Sequence, residues 1–128
     1  MVVDCVIPAR DEAPTIADVV GVAMACRYVR DVIVVDDGSS DDTAALAEAA
    51  GARVVRRSPS RGSKAHAMEA GVVETGDAEA ILFVDADLLG ITAGHLDDIC
   101  RPVVEQRAAM SLGTFDYGSF WNPLVLRF

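Results

Sequence analysis

Ala80-Ile81-Leu82-Phe83-Val84-Asp85-Ala86-Asp87 is an apolar run that ends in two carboxylates two positions apart. The run has the length of a buried strand, and a parallel α/β sheet binds its ligands beyond the carboxyl ends of its strands. Asp85 and Asp87 are therefore expected where ligand chemistry would take place. Hard cations take oxygen ligands, and Mg²⁺ is commonly held by one or two carboxylates together with phosphate oxygens. A divalent ion there could neutralise a diphosphate and stabilise it as a leaving group. An isolated D-x-D is more often an acidic turn capping the next element, so the rest of the chain must decide.

Working outward, the chain alternates strands and helices. Val2 to Ile7 is a β-branched run ended by Pro8, and Ala9-Arg10-Asp11-Glu12-Ala13 is a polar loop. Pro14-Thr15 opens a helix in which Ile16, Val19, Val20, Ala23 and Met24 recur at helical spacing. Val32–Val35 reads as a second strand, followed by the turn and capped helix start Asp36-Asp37-Gly38-Ser39-Ser40-Asp41-Asp42-Thr43. That helix runs through Ala44–Ala50 and stops at Gly51, and Arg53-Val54-Val55 is a third strand. A helix from Ser63 to about Thr75 precedes the Ala80–Val84 strand, and a helix over Thr92–Gln106 precedes a strand near Met110–Leu112. This alternation predicts an α/β fold with a mainly parallel sheet covered on both faces.

In such a sheet the loops Pro8–Glu12, Asp36–Ser39 and Asp85–Asp87 converge on one edge. Each has a bland explanation alone, but their joint occurrence after successive strands favours a shared site. A carboxylate in the second loop can accept from the imide N–H of uracil or from guanine. The first supplies backbone groups and Glu12 to base or ribose, and the third a metal ligand. Lys64, at a helix start after Gly62-Ser63, suits a phosphate site built of a point charge and backbone N–H donors. It is not part of a P-loop, because the G-x-x-x-x-G-K-[S/T] spacing is missing.

Composition narrows the partners. The 128 residues make one domain with a formal net charge of −9, which argues against nucleic acid. Arg53, Arg56, Arg57, Arg61 and Lys64 cluster within one stretch, a pattern that by itself reads as a solvated loop. No apolar stretch approaches the roughly 18 residues of a membrane span. The opening Met1-Val2-Val3-Asp4 carries no basic leader. Cys5, Cys26 and Cys100, far apart in apolar patterns, read as buried free thiols. These features predict a cytoplasmic protein. His66, His95, Met68, Met110 and the pair Asp97-Asp98 are assigned no chemistry: surface or packing imidazoles, core fillers and a solvated helix face.

Taken in order, Val6-Ile7-Pro8-Ala9-Arg10-Asp11-Glu12, Val34–Thr43, Lys64–Gly71 and Phe83–Leu88 resemble the ordered motifs of glycosyltransferase family 2. Within it the opening is most similar to the glucosyl-3-phosphoglycerate synthase-like branch. The resemblance spans residues 2–113 and implies the nucleotide-sugar-binding half of a GT-A fold. It implies that Pro8, Ala9, Arg10 and Glu12 line the nucleoside pocket and that Asp36 and Asp37, with Gly38, meet the base. It places Lys64 near the diphosphate, Asp85 and Ala86 toward the ribose or sugar, and Asp87 on Mg²⁺ or Mn²⁺. Asp11 stands where Asn is commoner, which adds charge beside an anionic ligand. Ser63 stands where Gly usually precedes the lysine, which restricts backbone approach to the phosphates.

The implied activity is metal-dependent transfer of a hexose from a UDP- or GDP-sugar to a small or lipid-linked acceptor. The alternative is a noncatalytic nucleotide-sugar-binding module, because family members continue into a region that supplies the acceptor site and, in inverting enzymes, a general base. After Glu105 the one carboxylate is Asp116, and no catalytic residue is assigned. A sugar-phosphate nucleotidyltransferase would open with a Gly-rich loop in place of Pro8–Glu12. Residues 1–113 are thus expected to form the core, and 114–128, with Phe115, Phe120, Trp121, Leu124, Leu126 and Phe128, an apolar tail. That tail either packs back on the domain or mediates a homodimer.

Overall fold

The computed structural model describes residues 1–60, 62–114 and, for the backbone, 124–127. The elements follow in chain order: β1 (Val3–Ala9), α1 (Ile16–Ala25), β2 (Val29–Asp36), α2 (Thr43–Ala49), β3 (Arg53–Arg56), α3 (Lys64–Glu74), β4 (Ala80–Phe83), α4 (Ala93–Val104), β5 (Met110–Leu112) and β6 (Leu124–Arg127). They build one six-stranded sheet in the order β3-β2-β1-β4-β6-β5. The strands β3, β2, β1 and β4 run parallel, whereas β6 is antiparallel to both β4 and β5.

Every residue of β1 is buried, as expected of a strand with helices on both faces. Val3, Cys5 and Ile7 point into a core shared with Ile16, Val19 and Val20 of α1, Ala47 of α2 and Leu96 of α4. Val6 points the other way, into a smaller core with Ile33, Val35, Ile81 and Ala67 of α3. The connections explain this layering. Right-handed crossovers carry β1 to β2 to β3 in one direction, with α1 and α2 on one face. The chain then doubles back past β1 to β4, and its helix α3 falls on the opposite face. The order reverses between β1 and β4, which is where open α/β sheets bind ligands.

Proline sits inside this central strand for a reason. Ala9 O accepts from Asp37 N, so Ala9 bonds toward β2, while Val6 O accepts from Val84 N on the β4 side. Pro8, two residues after Val6, faces the same side as Val6, and the β1–β4 pairing ends at Val6 and Phe83. A residue without an N–H costs nothing there. The strand thus continues through Pro8 to Ala9, two residues beyond its predicted end.

On the α3 face, Gly71 makes close approach possible. A Cβ at this position would lie 2.3 Å from Val6 Cγ1 and 3.2 Å from Val35 Cγ2. Below the sheet, the buried Asp4 carboxylate is held bidentately by Arg30, at 3.0 Å from Nε and 2.7 Å from Nη2, and Arg30 also reaches Asp77 at 2.8 Å.

Some expectations change on inspection. Met110 is 57% exposed on β5 and fills no core, while Met68 is half-buried against the α3-side cluster. Asp97 is no solvated residue: it accepts from Arg27 N at 2.9 Å and pairs with the Arg27 guanidinium, tying α4 to the turn after α1. Asp98 is exposed and pairs with Arg101. The predicted acidic first turn of α2 is not formed; Asp42 is its N-cap and makes no side-chain capping bond. His66 and His95 are cap partners of α3 and α4, bonded to Ser63 and Thr92. Cys5, Cys26 and Cys100 are buried free thiols. The basic cluster is dispersed, with Arg53 on Glu74 and Arg56 on Glu48, and Arg61 lies outside the described residues.

No strand was expected beyond Gly113, yet β6 inserts between β4 and β5. Of the tail, Phe115, Phe120, Trp121 and Phe128 lie outside the described residues. Among those described, no helix is long and apolar enough to cross a membrane.

Candidate functional site

A cleft of about 300 Å³ opens where β1 and β4 part. Pro8, Ala9, Arg10 and Glu12 form one wall, Asp85, Ala86 and Asp87 a second, and Asp37 and Lys64 close the ends. Gly62, Ser63 and Ala67 complete the lining. The loops after β1, β2 and β4 therefore meet at one sheet edge, joined by the start of α3.

Asp36 and Gly38 do not line the cleft. Side chains alternate along β2, so Asp36 falls with Val34 on the α1–α2 face, where it is 8% exposed. Its Oδ1 has no hydrogen-bond partner among the described residues. Asp37, one residue on, turns into the cleft and is 6% exposed. Gly38 serves the backbone: at φ +74° it lies against the following loop, where a Cβ would be 2.9 Å from Ser60 N and 3.3 Å from Arg57 O.

The residues around Asp41 act as scaffold. Ser39 Oγ accepts from Asp11 N at 2.9 Å, and Asp11 Oδ1 accepts from Ser40 N at 2.7 Å. Thr43 Oγ1, fully buried, accepts from Glu12 N at 2.9 Å and donates to Asp41 Oδ1. Asp41 Oδ2 accepts from Ala13 N at 3.2 Å. The Thr43 hydroxyl holds the Asp41 carboxyl below its ordinary range, with backbone amides adding to the effect. The second loop thus stitches the first in place. Asp11 adopts φ 53°, a left-handed conformation that Asp and Asn tolerate. Its carboxylate is spent on Ser40, and Asp11 is not among the cleft residues. The third loop is tied in as well, through Thr15 Oγ1 donating to Ala86 O at 2.7 Å.

Electrostatically the cleft is acidic with one cation at its centre. Lys64, the first residue of α3, pairs its ammonium with Asp85 Oδ1. Ser63 caps that helix by accepting from His66 N at 3.2 Å, which gives the serine a local purpose where a glycine was expected. Glu12 is pushed above the ordinary carboxylate range, first by desolvation and then by the charges of Asp87, Asp41, Asp11 and Asp85. Among the described residues no cluster of three or more protein ligands forms a metal cage. Mg²⁺ seldom needs one: it keeps waters and binds one or two carboxylates plus substrate phosphates. Asp87, exposed at the cleft mouth beside Asp85, fits that ligand set. Ala67 was not anticipated, although it stands one helical turn after Lys64 and so shares its face.

The Glycosyl transferase family 2 profile matches residues 4–120. Glucosyl-3-phosphoglycerate synthase of Mycolicibacterium paratuberculosis is 37% identical over 95 residues, which cover 68% of this chain and 29% of that protein. The chain thus spans less than a third of the length of this curated relative. Two crystal structures of the Mycobacterium tuberculosis glucosyl-3-phosphoglycerate synthase superpose well. The complex with Mn²⁺, UDP and phosphoglyceric acid gives a TM-score of 0.80 at 27% identity, covering 91% of this chain and 44% of the other. The complex with Mg²⁺ and UDP gives 0.86 at 22% identity, covering 98% and 56%, and shows the shared GT-A fold. With its profile match running from the start of β1 past β5, the chain belongs to glycosyltransferase family 2.

Proposed function

We propose that this chain is the donor-binding part of a metal-dependent glycosyltransferase that moves a hexose from a nucleoside diphosphate to a small phosphorylated acceptor. The observation that carries the reading is the cleft itself, which joins Glu12, Asp85 and Asp87 to Lys64 at the reversal of strand order. The relatives' names point to glucose as the sugar, UDP as the carrier and phosphoglycerate as the acceptor.

Each residue then has a distinct task. Asp37 accepts from the base, and Glu12 with the Pro8–Arg10 backbone faces the nucleoside. Lys64 is the point charge for the diphosphate, held at the cleft by Asp85. Asp85 and Ala86 face the ribose or sugar, and Asp87 would hold Mg²⁺ or Mn²⁺. The bound ion would offset the charge that develops on the departing diphosphate. Three carboxylates against one lysine repel an anionic ligand, so donor binding should require that ion. Fixed charges aimed at the leaving group supply the electrostatic stabilisation that dominates many such transfers.

Calorimetric titration of UDP, GDP, UDP-glucose and GDP-mannose, each with Mn²⁺ and with EDTA, tests the reading. UDP and UDP-glucose should bind with Mn²⁺ and lose binding in EDTA. No binding under any condition would sink it, and binding without transfer to phosphoglycerate would make the chain a nucleotide-sugar-binding module. We place the protein in the cytoplasm and expect a homodimer through residues 114–128. Monomer alone in light scattering at micromolar concentration would remove the dimer.

A further inference from the structure

We propose that Ser60 is the positioning residue that sets base preference, by fixing the carboxylate of Asp37. The inference rests on the reading that Asp37 meets the base. Ser60 is half-buried outside the cleft lining, yet its hydroxyl joins three parts of the wall. It donates to Asp37 Oδ2 at 2.7 Å, and it accepts from Gly62 N at 3.0 Å and from Arg10 Nη1 at 3.4 Å. A serine hydroxyl has one proton to give and two lone pairs to fill, so this arrangement uses its whole capacity.

The backbone around it is anchored independently. Asp37 N donates to Ala9 O and Arg57 N donates to Asp36 O, both at 2.9 Å. Gly38, without a Cβ, lets the chain at Ser60 press against it. With both backbones held, the Ser60–Asp37 bond selects the rotation of the carboxylate.

That rotation matters because a carboxylate only accepts hydrogen bonds. Uracil offers an N–H at ring position 3, whereas cytosine offers a lone pair there. A site with an oriented acceptor rejects a base that lacks the matching donor far more strongly than a site of the right size alone. Once free to rotate, the carboxylate can turn to the exocyclic amine of cytosine, and the difference between the bases shrinks. Ser60 also links the base end of the cleft to Gly62, next to the Ser63–Lys64 end.

The test is titration of UDP and CDP, with Mn²⁺ present, into the wild-type chain, Ser60→Ala and Ser60→Thr. Ser60→Ala should lower the UDP-over-CDP affinity ratio by about tenfold, in keeping with a lost hydrogen bond to a charged group. Ser60→Thr keeps the hydroxyl and should hold the ratio to within about twofold of wild type. Equal weakening toward both nucleotides in Ser60→Ala would reduce Ser60 to a loop brace and overturn the inference, as would an unchanged ratio. A wild-type chain that binds neither nucleotide fails at the earlier step, and both proposals fall together.

Discussion

Asp87→Asn should abolish the Mn²⁺ dependence of UDP binding while leaving thermal unfolding where it was. The side chain is exposed, and the substitution preserves its shape, so the fold loses no packing. What disappears is a negative oxygen ligand for a hard cation. Mutating an outer-shell partner of a metal ligand already costs about 10–100-fold in metal affinity, so removing a direct ligand should cost at least about 100-fold. In EDTA the variant and the wild type should be alike. Asp98→Asn is the matched control, since Asp98 is an exposed carboxylate on α4 whose partner is Arg101. If Asp87→Asn retains the wild-type gain in affinity from Mn²⁺, the metal assignment is wrong.

The largest effect on stability is expected from Gly71→Ala. An added Cβ would lie 2.3 Å from Val6 Cγ1, well inside contact distance. Val6 is β-branched, fully buried and part of the central strand, so it cannot swing aside. Overpacking of this kind costs about 1–3 kcal/mol, and the severity of the clash points to the upper end. Alanine returns about 1 kcal/mol through helix propensity. The net loss should be about 2 kcal/mol, a fall of roughly 8 °C in Tm. Val6→Ala in the same chain removes the clashing methyl, so the double variant should melt above the sum of the two single losses. Strict additivity would show that α3 shifts away from the sheet instead.

The alternation of strands and helices was legible because β-branched runs and helical spacing are local signals. The convergence of the loops after β1, β2 and β4 followed from parallel topology alone. Adjacent carboxylates were harder to separate. Asp36 and Asp37 look equivalent in a string of letters, and only the end of β2, fixed by pairing with Ala9, tells which one turns into the cleft. The stretch Ser39–Thr43 read as a turn and a cap, yet its side chains hold Asp11–Ala13, about thirty positions earlier in the chain. No periodicity encodes such a contact. For β6 the reason is similar: a short apolar segment becomes a strand because β4 and β5 leave a gap of one strand between them.

The antiparallel insertion of β6 has a consequence for the order of events at the ribosome. Every residue lining the cleft lies between Pro8 and Asp87, so the pocket's parts emerge well before Leu124–Arg127 does. Chains are extended at about 5–20 residues per second, and amino-terminal regions fold first. During that delay β4 presents an open edge to its surroundings, and open edges invite pairing with other chains. The nascent protein is most exposed to misassembly in those seconds, after its pocket exists and before its sheet is closed.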